Sequence, residues 1–378
     1  MPVSDLPDFP WDSLDPYRER ARAVSGGIVD LSVGTPVDPT PSLVTEALAG
    51  AADAPGYPQV YGTPDLRSAV AAWFARRRGV PDVDPAGVMP TIGSKEIVAW
   101  LPMLMGLGAG DVVGYPSIAY PTYAVGATLA GATGFAADAT TAFGPITSAS
   151  APKLLWLNSP SNPSGKVLGI AHLAKVVAWA RSYGIVVASD ECYAELDWRP
   201  EDEREGLSST PSLLDPRVTG GSHEGLLVVY SLSKQSNLAG YRAAFAAGDP
   251  ALVTRLVRVR QHAGMIMPWP VQRAMIAALG DDSHVVQNKA RYAARRDVLA
   301  PALARAGFRI DDSQAGLYLW ATRDQDCWGS VADLADLGIL VTPGDFYGAG
   351  GRRHVRIALT ASDAHMLSAA ERLTNGSA

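Results

Sequence analysis

Three polar side chains follow three short apolar runs: Asn162 after Leu154 to Leu157, Asp190 after Ile185 to Ser189, and Lys234 after Leu226 to Tyr230. An amine attacks aldehydes and ketones, a buried carboxylate keeps a nearby heterocyclic nitrogen protonated, and an amide donates to an oxygen. Ligands of an open parallel sheet bind outside the carboxyl ends of its strands, so the three groups converge if the runs are neighbouring strands. That set meets the needs of a pyridoxal cofactor: Lys234 forms the Schiff base, Asp190 holds the pyridine nitrogen protonated, and Asn162 donates to the phenolic oxygen. Tyr193, three residues past Asp190, can reach the same oxygen. Each residue taken alone has an ordinary reading. An Asn-Pro pair makes a turn, a strand-end Asp caps a helix, and a Lys after a strand is solvated.

A phosphate group needs its own cup. Thr91 to Glu96 follows the run Val88 to Pro90 and opens an apolar-periodic helix through Ile97, Trp100, Leu101 and Leu104. The amides of Ser94 and Lys95, next to Gly93, therefore lie at a helix N-terminus, where an anion is favoured. A plain Ser N-cap is the alternative. Ser231 and Ser233 flank Lys234, and Arg242 follows eight residues after it, adding hydroxyls and a guanidinium fork for the same anion. Tyr120 offers a ring to stack on a planar cofactor or, equally, to fill the core. Arg356 alternates with apolar residues in His354 to Ala358, and a fork there suits an α-carboxylate, against the alternative of a surface strand arginine.

The elements that must position these groups read as α/β. Apolar runs alternate with amphipathic helices, which implies a mostly parallel sheet covered by helices. A helix starts at Thr63, with Pro64 in the first position and Asp65 at the positive end of the dipole. It buries Leu66, Val70, Trp73 and Phe74 and ends at Gly79. Another carries Leu173, Val176, Val177 and Ala180 on one face and stops near Gly184. The length of 378 residues favours two domains: a Pro-, Asp- and Gly-rich N-terminal arm over 1–41 that joins the smaller domain, a large domain over 42–270, and a smaller α+β domain over 271–378. A long helical region through Arg296 is expected there, followed by strands at Gly316 to Ala321 and His354 to Leu359. Gly131 to Pro152 and Arg199 to Glu224 read as solvated loops or edges.

A net charge of −6, without a clustered basic run, leaves no field for a nucleic-acid backbone or an anionic bilayer. No apolar run approaches the roughly 20 residues that cross a membrane, and no secretory leader is visible. Cys192 and Cys327 do not make a disulfide framework or a metal spacing and read as reduced thiols. A cytoplasmic protein without a metal is expected.

At these residues the sequence resembles the fold-type I, class I and II aminotransferases over nearly its whole length. Ser231-Leu-Ser-Lys-Gln-Ser-Asn-Leu-Ala-Gly-Tyr-Arg242 is similar to that family's lysine signature. Asn158 to Gly165, Ser189 to Tyr193 and Tyr61 to Arg67 match its other landmarks in order. The resemblance implies pyridoxal 5'-phosphate as cofactor and a small-molecule amino donor with a 2-oxo acid acceptor. It implies a homodimer in which Tyr61 reaches the neighbouring subunit's phosphate, and it sets the Gly34 backbone near the substrate carboxylate. Leu6 to Trp11, Val29 to Asp38, Gly93 to Glu96, Gly221 to Gly225 and Pro343 to Tyr347 further resemble the bacterial N-succinyldiaminopimelate aminotransferases of lysine synthesis. No second arginine for a distal carboxylate is evident; Arg258 and Arg260 read as helix-surface residues. Another amino-acid aminotransferase, for aspartate, LL-diaminopimelate or a broad range of donors, a pyridoxal-dependent lyase and a non-catalytic ligand-sensing regulator are the competing readings, the regulator requiring a basic DNA-binding extension.

Overall fold

The structure, a computed structural model, describes residues 6–376. Its centre is a seven-stranded sheet in the order Val88–Ile92, Ala243–Gly248, Leu226–Ser231, Val186–Asp190, Leu154–Asn158, Val112–Tyr115, Thr133–Ala136. Only Ala243–Gly248 runs antiparallel to its neighbours. The inner strands are buried throughout because helices cover both faces, which is why they read as continuous apolar runs rather than as alternation.

The helix Pro64–Arg78 follows its sequence signals. Thr63 Oγ1 accepts from the amide of Leu66 at 3.2 Å, and Gly79 ends the helix with φ of 67°. Leu66, Val70, Trp73 and Phe74 pack into the core on one face of the sheet with Leu173, Val176, Val177 and Ala180 from the helix Ile170–Tyr183. A second core fills the opposite face. A third holds the antiparallel sheet Thr342–Pro343, Val355–Ala358, Tyr318–Thr322, Arg309–Asp311.

Three sequence-based expectations are revised. The N-terminal segment is not an irregular arm: it forms a 3-10 turn, Pro10–Leu14, a helix, Asp15–Arg22, and a strand, Val29–Asp30, parallel to Ile339–Leu340. Leu14, Val29 and Leu31 are buried in the third core, which offsets the weak local propensity of a Pro- and Asp-rich stretch. The long C-terminal helical region is two helices, Trp269–Gly280 and Ser283–Arg305, the second running past Arg296. Ala274, Met275, Ala278 and Leu279 of the first complete the core beside Trp73. Within the stretch read as a solvated connector from Arg199 to Glu224, Ser209, Thr210, Ser212, Leu213, Leu214 and Asp215 are buried: Ser209 and the Leu213 amide meet the buried pair of Arg78 and Glu191, and Leu213 and Leu214 join the core. The tract from Gly131 to Pro152 supplies the exposed edge strand Thr133–Ala136. Among the described residues no helix is long and apolar enough to cross a membrane.

Candidate active site

Strand register brings the first two groups together. Asn158 and Asp190 are paired at neighbouring strand ends, and Asp190 is paired with Val229 on the far side. The organiser of this corner is Asn158, which the sequence reading passed over. Its Nδ2 donates to the carbonyls of Pro160 at 3.1 Å and Asp190 at 3.0 Å, and its Oδ1 accepts from the amide of Asn162 at 2.7 Å. Asn162 is thus fixed by a residue that itself ends a strand. An Asn at a strand end four residues before a second Asn was the available signal.

Asp190 is buried, and its two oxygens accept from the Cys192 amide at 3.2 Å and the Tyr123 hydroxyl at 3.1 Å. No Lys, Arg or His among the described residues forms an ion pair with it. Burial pushes its carboxyl above the ordinary value, opposed by the bonds from Cys192 and Tyr123. The thiol of Cys192, free and buried, is pushed far up by the same burial and by the Asp190 charge. A carboxylate held dry and without a cation is a receptor for one.

Lys234 sits in the single turn Leu232–Gln235, where the Ser231 hydroxyl accepts from the Ser233 amide at 3.2 Å and donates to the Ser233 hydroxyl at 2.8 Å. Lys234 Nζ donates to the Gly34 carbonyl. Burial pushes this amine below the usual lysine range; the Arg356 and Arg242 guanidiniums lower it further, while Tyr318 and Cys192 act in the opposite sense. The shift is toward the neutral, nucleophilic form.

Near the lysine, the helix Ser94–Leu104 begins at Gly93, whose φ of 75° a side chain would strain. A Cβ at Gly93 would lie 2.1 Å from Arg242 Nη2, and the Gly93 amide donates to the Arg242 carbonyl at 2.7 Å. The helix N-terminus and the guanidinium therefore lie side by side, an arrangement suited to one anion. Glu96 braces it by accepting from the Ile92 amide at 2.9 Å and from Arg260.

Arg356 faces the same interior from the small sheet. It is buried, donates to Asn162 Oδ1 at 3.0 Å and to the Ser32 carbonyl at 2.6 Å, and lies over the Tyr318 ring at 4.1 Å. Its Nε finds no hydrogen-bond partner among the described residues. Tyr318, also missed from sequence, is two residues along the strand from the register partner of Arg356 and hence on the same face. Its hydroxyl is 3.2 Å from that of Tyr193. Burial raises the Tyr318 phenol, yet Arg356 and Lys234 together hold it below the usual value. A Cβ at Gly34 would strike the Tyr318 hydroxyl, so only glycine lets the arm pass there. Tyr120 stands edge-on to Tyr123 at 6.2 Å, against the side chain that binds Asp190.

Some expected residues stand apart. Tyr61 bonds the Thr254 hydroxyl at 2.8 Å, not a member of the Lys234 cluster. The Lys95 side chain is exposed over the Phe9 ring, leaving only its amide at the cradle. Arg258 is exposed as expected, but Arg260 is buried and donates to the carbonyls of Pro90 at 3.3 Å and Met265 at 2.8 Å, so it ties loops together.

A dry carboxylate, a depressed lysine and an anion cradle fit pyridoxal phosphate: Asp190 for the ring nitrogen, Lys234 for the aldehyde, and Gly93 to Lys95 with Arg242 for the phosphate. The chain belongs to the class I and II aminotransferases, whose family model, "Aminotransferase class I and II", matches residues 27–373, and it is a pyridoxal-phosphate-dependent transferase of amino groups. It is similar to the 4-dedimethylamino-4-oxo-anhydrotetracycline transaminase OxyQ of Streptomyces rimosus, 55% identical over 98% of this chain and 100% of that protein. The probable aminotransferase Rv1178 of Mycobacterium tuberculosis is 56% identical over 98% of this chain and 86% of its own length. Among solved structures, a probable N-succinyldiaminopimelate aminotransferase from Thermus thermophilus superposes with a TM-score of 0.84 at 28% identity, over 97% of this chain and 100% of that one.

Proposed function

We propose that the enzyme moves an amino group from N-succinyl-LL-2,6-diaminopimelate to 2-oxoglutarate, with Lys234 as the lysine that carries the cofactor and moves the proton. The observation that carries the lysine assignment is the buried Asp190 without a cation, at a strand end beside the turn of Lys234. Bound pyridoxal phosphate supplies an aldehyde that condenses with amines and a ring that withdraws electrons from the adjacent carbon. Lys234 Nζ, favoured as the free amine by burial, takes the proton from the substrate α-carbon and returns one for the second half of the cycle. Arg356 receives the α-carboxylate through its fork, with Asn162 steadying one arm of it. With the cofactor bound, Ser231, Ser233 and Arg242 would join the amides of Ser94 and Lys95 around the phosphate, Gly93 leaving room for the Arg242 guanidinium, with Tyr120 against the ring and Tyr193 toward its phenolic oxygen. Tyr61 serves the phosphate of a neighbouring subunit, which makes the working form a homodimer. The division into a large cofactor-binding domain and a smaller domain carrying Arg356 sets the cleft between them.

The succinylated donor is supported by the sequence stretches named above and by the likeness to the Thermus thermophilus protein. The full-length likeness to OxyQ favours a second reading, in which the amino acceptor is a ring ketone of a polycyclic molecule. Two experiments separate the parts. Borohydride reduction of the loaded enzyme followed by peptide mapping should place the cofactor on Lys234, and Lys234→Ala should lose about five orders of magnitude in turnover. A label on another lysine sinks the assignment. A panel of N-succinyl-LL-diaminopimelate, LL-diaminopimelate, aspartate and glutamate as donors, with 2-oxoglutarate and a polycyclic ketone as acceptors, decides the substrate. Absence of turnover with the succinylated donor alone removes that name and leaves the class.

A further inference from the structure

The turn that holds Lys234 is too short to hold itself. Leu232–Gln235 is one turn of helix, and the carbonyls at the end of such a turn need partners from elsewhere. They come from one face of the helix Ser283–Arg305. Asn288 Nδ2 donates to the carbonyl of Lys234 at 3.0 Å and to that of Gln235 at 3.1 Å. One turn earlier, His284 Nε2 meets the Ser236 hydroxyl at 2.8 Å while its Nδ1 meets Asp281 Oδ2 at 2.7 Å. Further along, Arg291 and Arg295 pair with Asp38 at 3.6 Å and 2.7 Å, and Arg295 also holds Asp363 at 2.7 Å. The spacing of 284, 288, 291 and 295 puts all four side chains on one helical stripe.

The stripe reaches the lysine from both ends. Asp38 lies four residues past Gly34, and Gly34 supplies the carbonyl that accepts from Lys234 Nζ. One helix thus indexes the main chain of Lys234 through Asn288 and the partner of its amine through the two arginines. The Asp281, His284, Ser236 series has the order of a hydrolytic triad, but the Ser236 side chain is fully buried and its amide donates to the Leu232 carbonyl. It lacks access and an oxyanion donor at that residue, so it serves as a second strap on the turn.

We propose that Asn288 is a positioning residue for Lys234, setting the direction of its amine by gripping the two carbonyls of its turn. This rests on the reading of Lys234 as the lysine that carries the cofactor. A carbonyl left without its donor lets the turn relax, and small displacements of a reacting group cost rate without abolishing binding.

The test uses purified loaded enzyme carrying Asn288→Ala, Asn288→Asp or Asn288→Ser, with Leu303→Ala as a control that perturbs the same helix from its far, buried end. The readouts are the pH midpoint of the visible cofactor absorbance, kcat, KM for both substrates and Tm. Asn288→Ala and Asn288→Asp should move the midpoint by about half a pH unit and lower kcat about tenfold, with each KM within about twofold. Asn288→Ser keeps one donor and should fall between, which preserves the test if the other two fail to fold. Leu303→Ala should lower Tm and leave the midpoint in place. Midpoints unchanged in the Asn288 variants, or an equal shift in Leu303→Ala, overturn the proposal. Peptide mapping of the reduced wild type separates the two claims: a label away from Lys234 defeats the lysine reading, whereas a label on Lys234 with unmoved midpoints defeats the Asn288 proposal alone.

Discussion

Asp190 and Glu191 are consecutive carboxylates at the end of one strand, and both are buried. They face opposite sides of the sheet, as alternation requires. Glu191 meets Arg78 at 2.7 Å, accepts from the Leu213 amide at 2.7 Å, and its arginine in turn donates to Ser209 at 2.8 Å. Asp190 has two neutral donors and no cation. One charge is therefore completed within the chain and the other awaits a partner. Protein-supplied compensation marks Glu191 as a structural charge, and the uncompensated Asp190 is what its proposed role toward the cofactor requires.

Removing each carboxylate should break the comparison in opposite directions. Asp190→Ala should lower turnover by about three orders of magnitude, because on the proposed assignment it is the electrostatic partner of the cofactor ring, while Tm of the cofactor-free protein changes little. Glu191→Ala leaves the buried Arg78 uncompensated and should cost about 3 to 5 kcal/mol of stability by denaturant titration. Its turnover per folded molecule should stay within about threefold of wild type. If Asp190→Ala destabilises as much as Glu191→Ala, or Glu191→Ala abolishes turnover at full folding, the distinction between the two faces fails.

The same contrast explains what the sequence disclosed. Strand-end positions and helix caps are local in the chain, so the placement of Asp190, Lys234 and Gly93 at or just past element ends, and the helix Pro64–Arg78, were legible from period and spacing. Tyr318 and Asn288 were not. Tyr318 meets the Tyr193 hydroxyl and Asn288 the main-chain carbonyls of Lys234 and Gln235, all distant in the chain, and a tyrosine in a strand or an asparagine in a helix carries no local mark of such a partner. Buried ion pairs share that opacity: Arg78 reads as the charged end of a helix, and only the fold turns it inward to Glu191. Ser209, polar in sequence and buried in fact, follows from the same long-range demand.

A smaller effect sharpens the Asp190 side. Its carboxyl is raised by burial in the cofactor-free protein, so the folded state holds the proton more tightly than the unfolded chain. The resulting stability is full below the ordinary carboxyl value of 3.8 and is lost as pH rises through the raised folded value. Asp190→Asn, neutral throughout, should lack this loss. Cofactor-free Asp190→Asn should melt roughly 2 °C above wild type at pH 7 and match it near pH 4. A constant difference across that range would show that burial of this charge is not what the fold tolerates.

The least disruptive change tests whether the two neutral donors matter to Asp190 at all. The Tyr123 hydroxyl donates to Oδ2 at 3.1 Å, and its ring packs 5.2 Å from that of Trp156, so Tyr123→Phe keeps the packing and removes only the bond. One hydrogen bond to a charged acceptor contributes about 1.5 to 3 kcal/mol, but the cofactor-bound carboxylate has a cation as well and should lose less. A threefold to tenfold fall in kcat is expected, about 1 kcal/mol, with Tm nearly unchanged. Glu191 gives the matching control, since Ser209→Ala removes a neutral partner of its arginine and should move Tm but not kcat. If Tyr123→Phe moves Tm and spares kcat, the bond serves the fold, and Asp190 is held ready for its ligand by burial and the Cys192 amide alone.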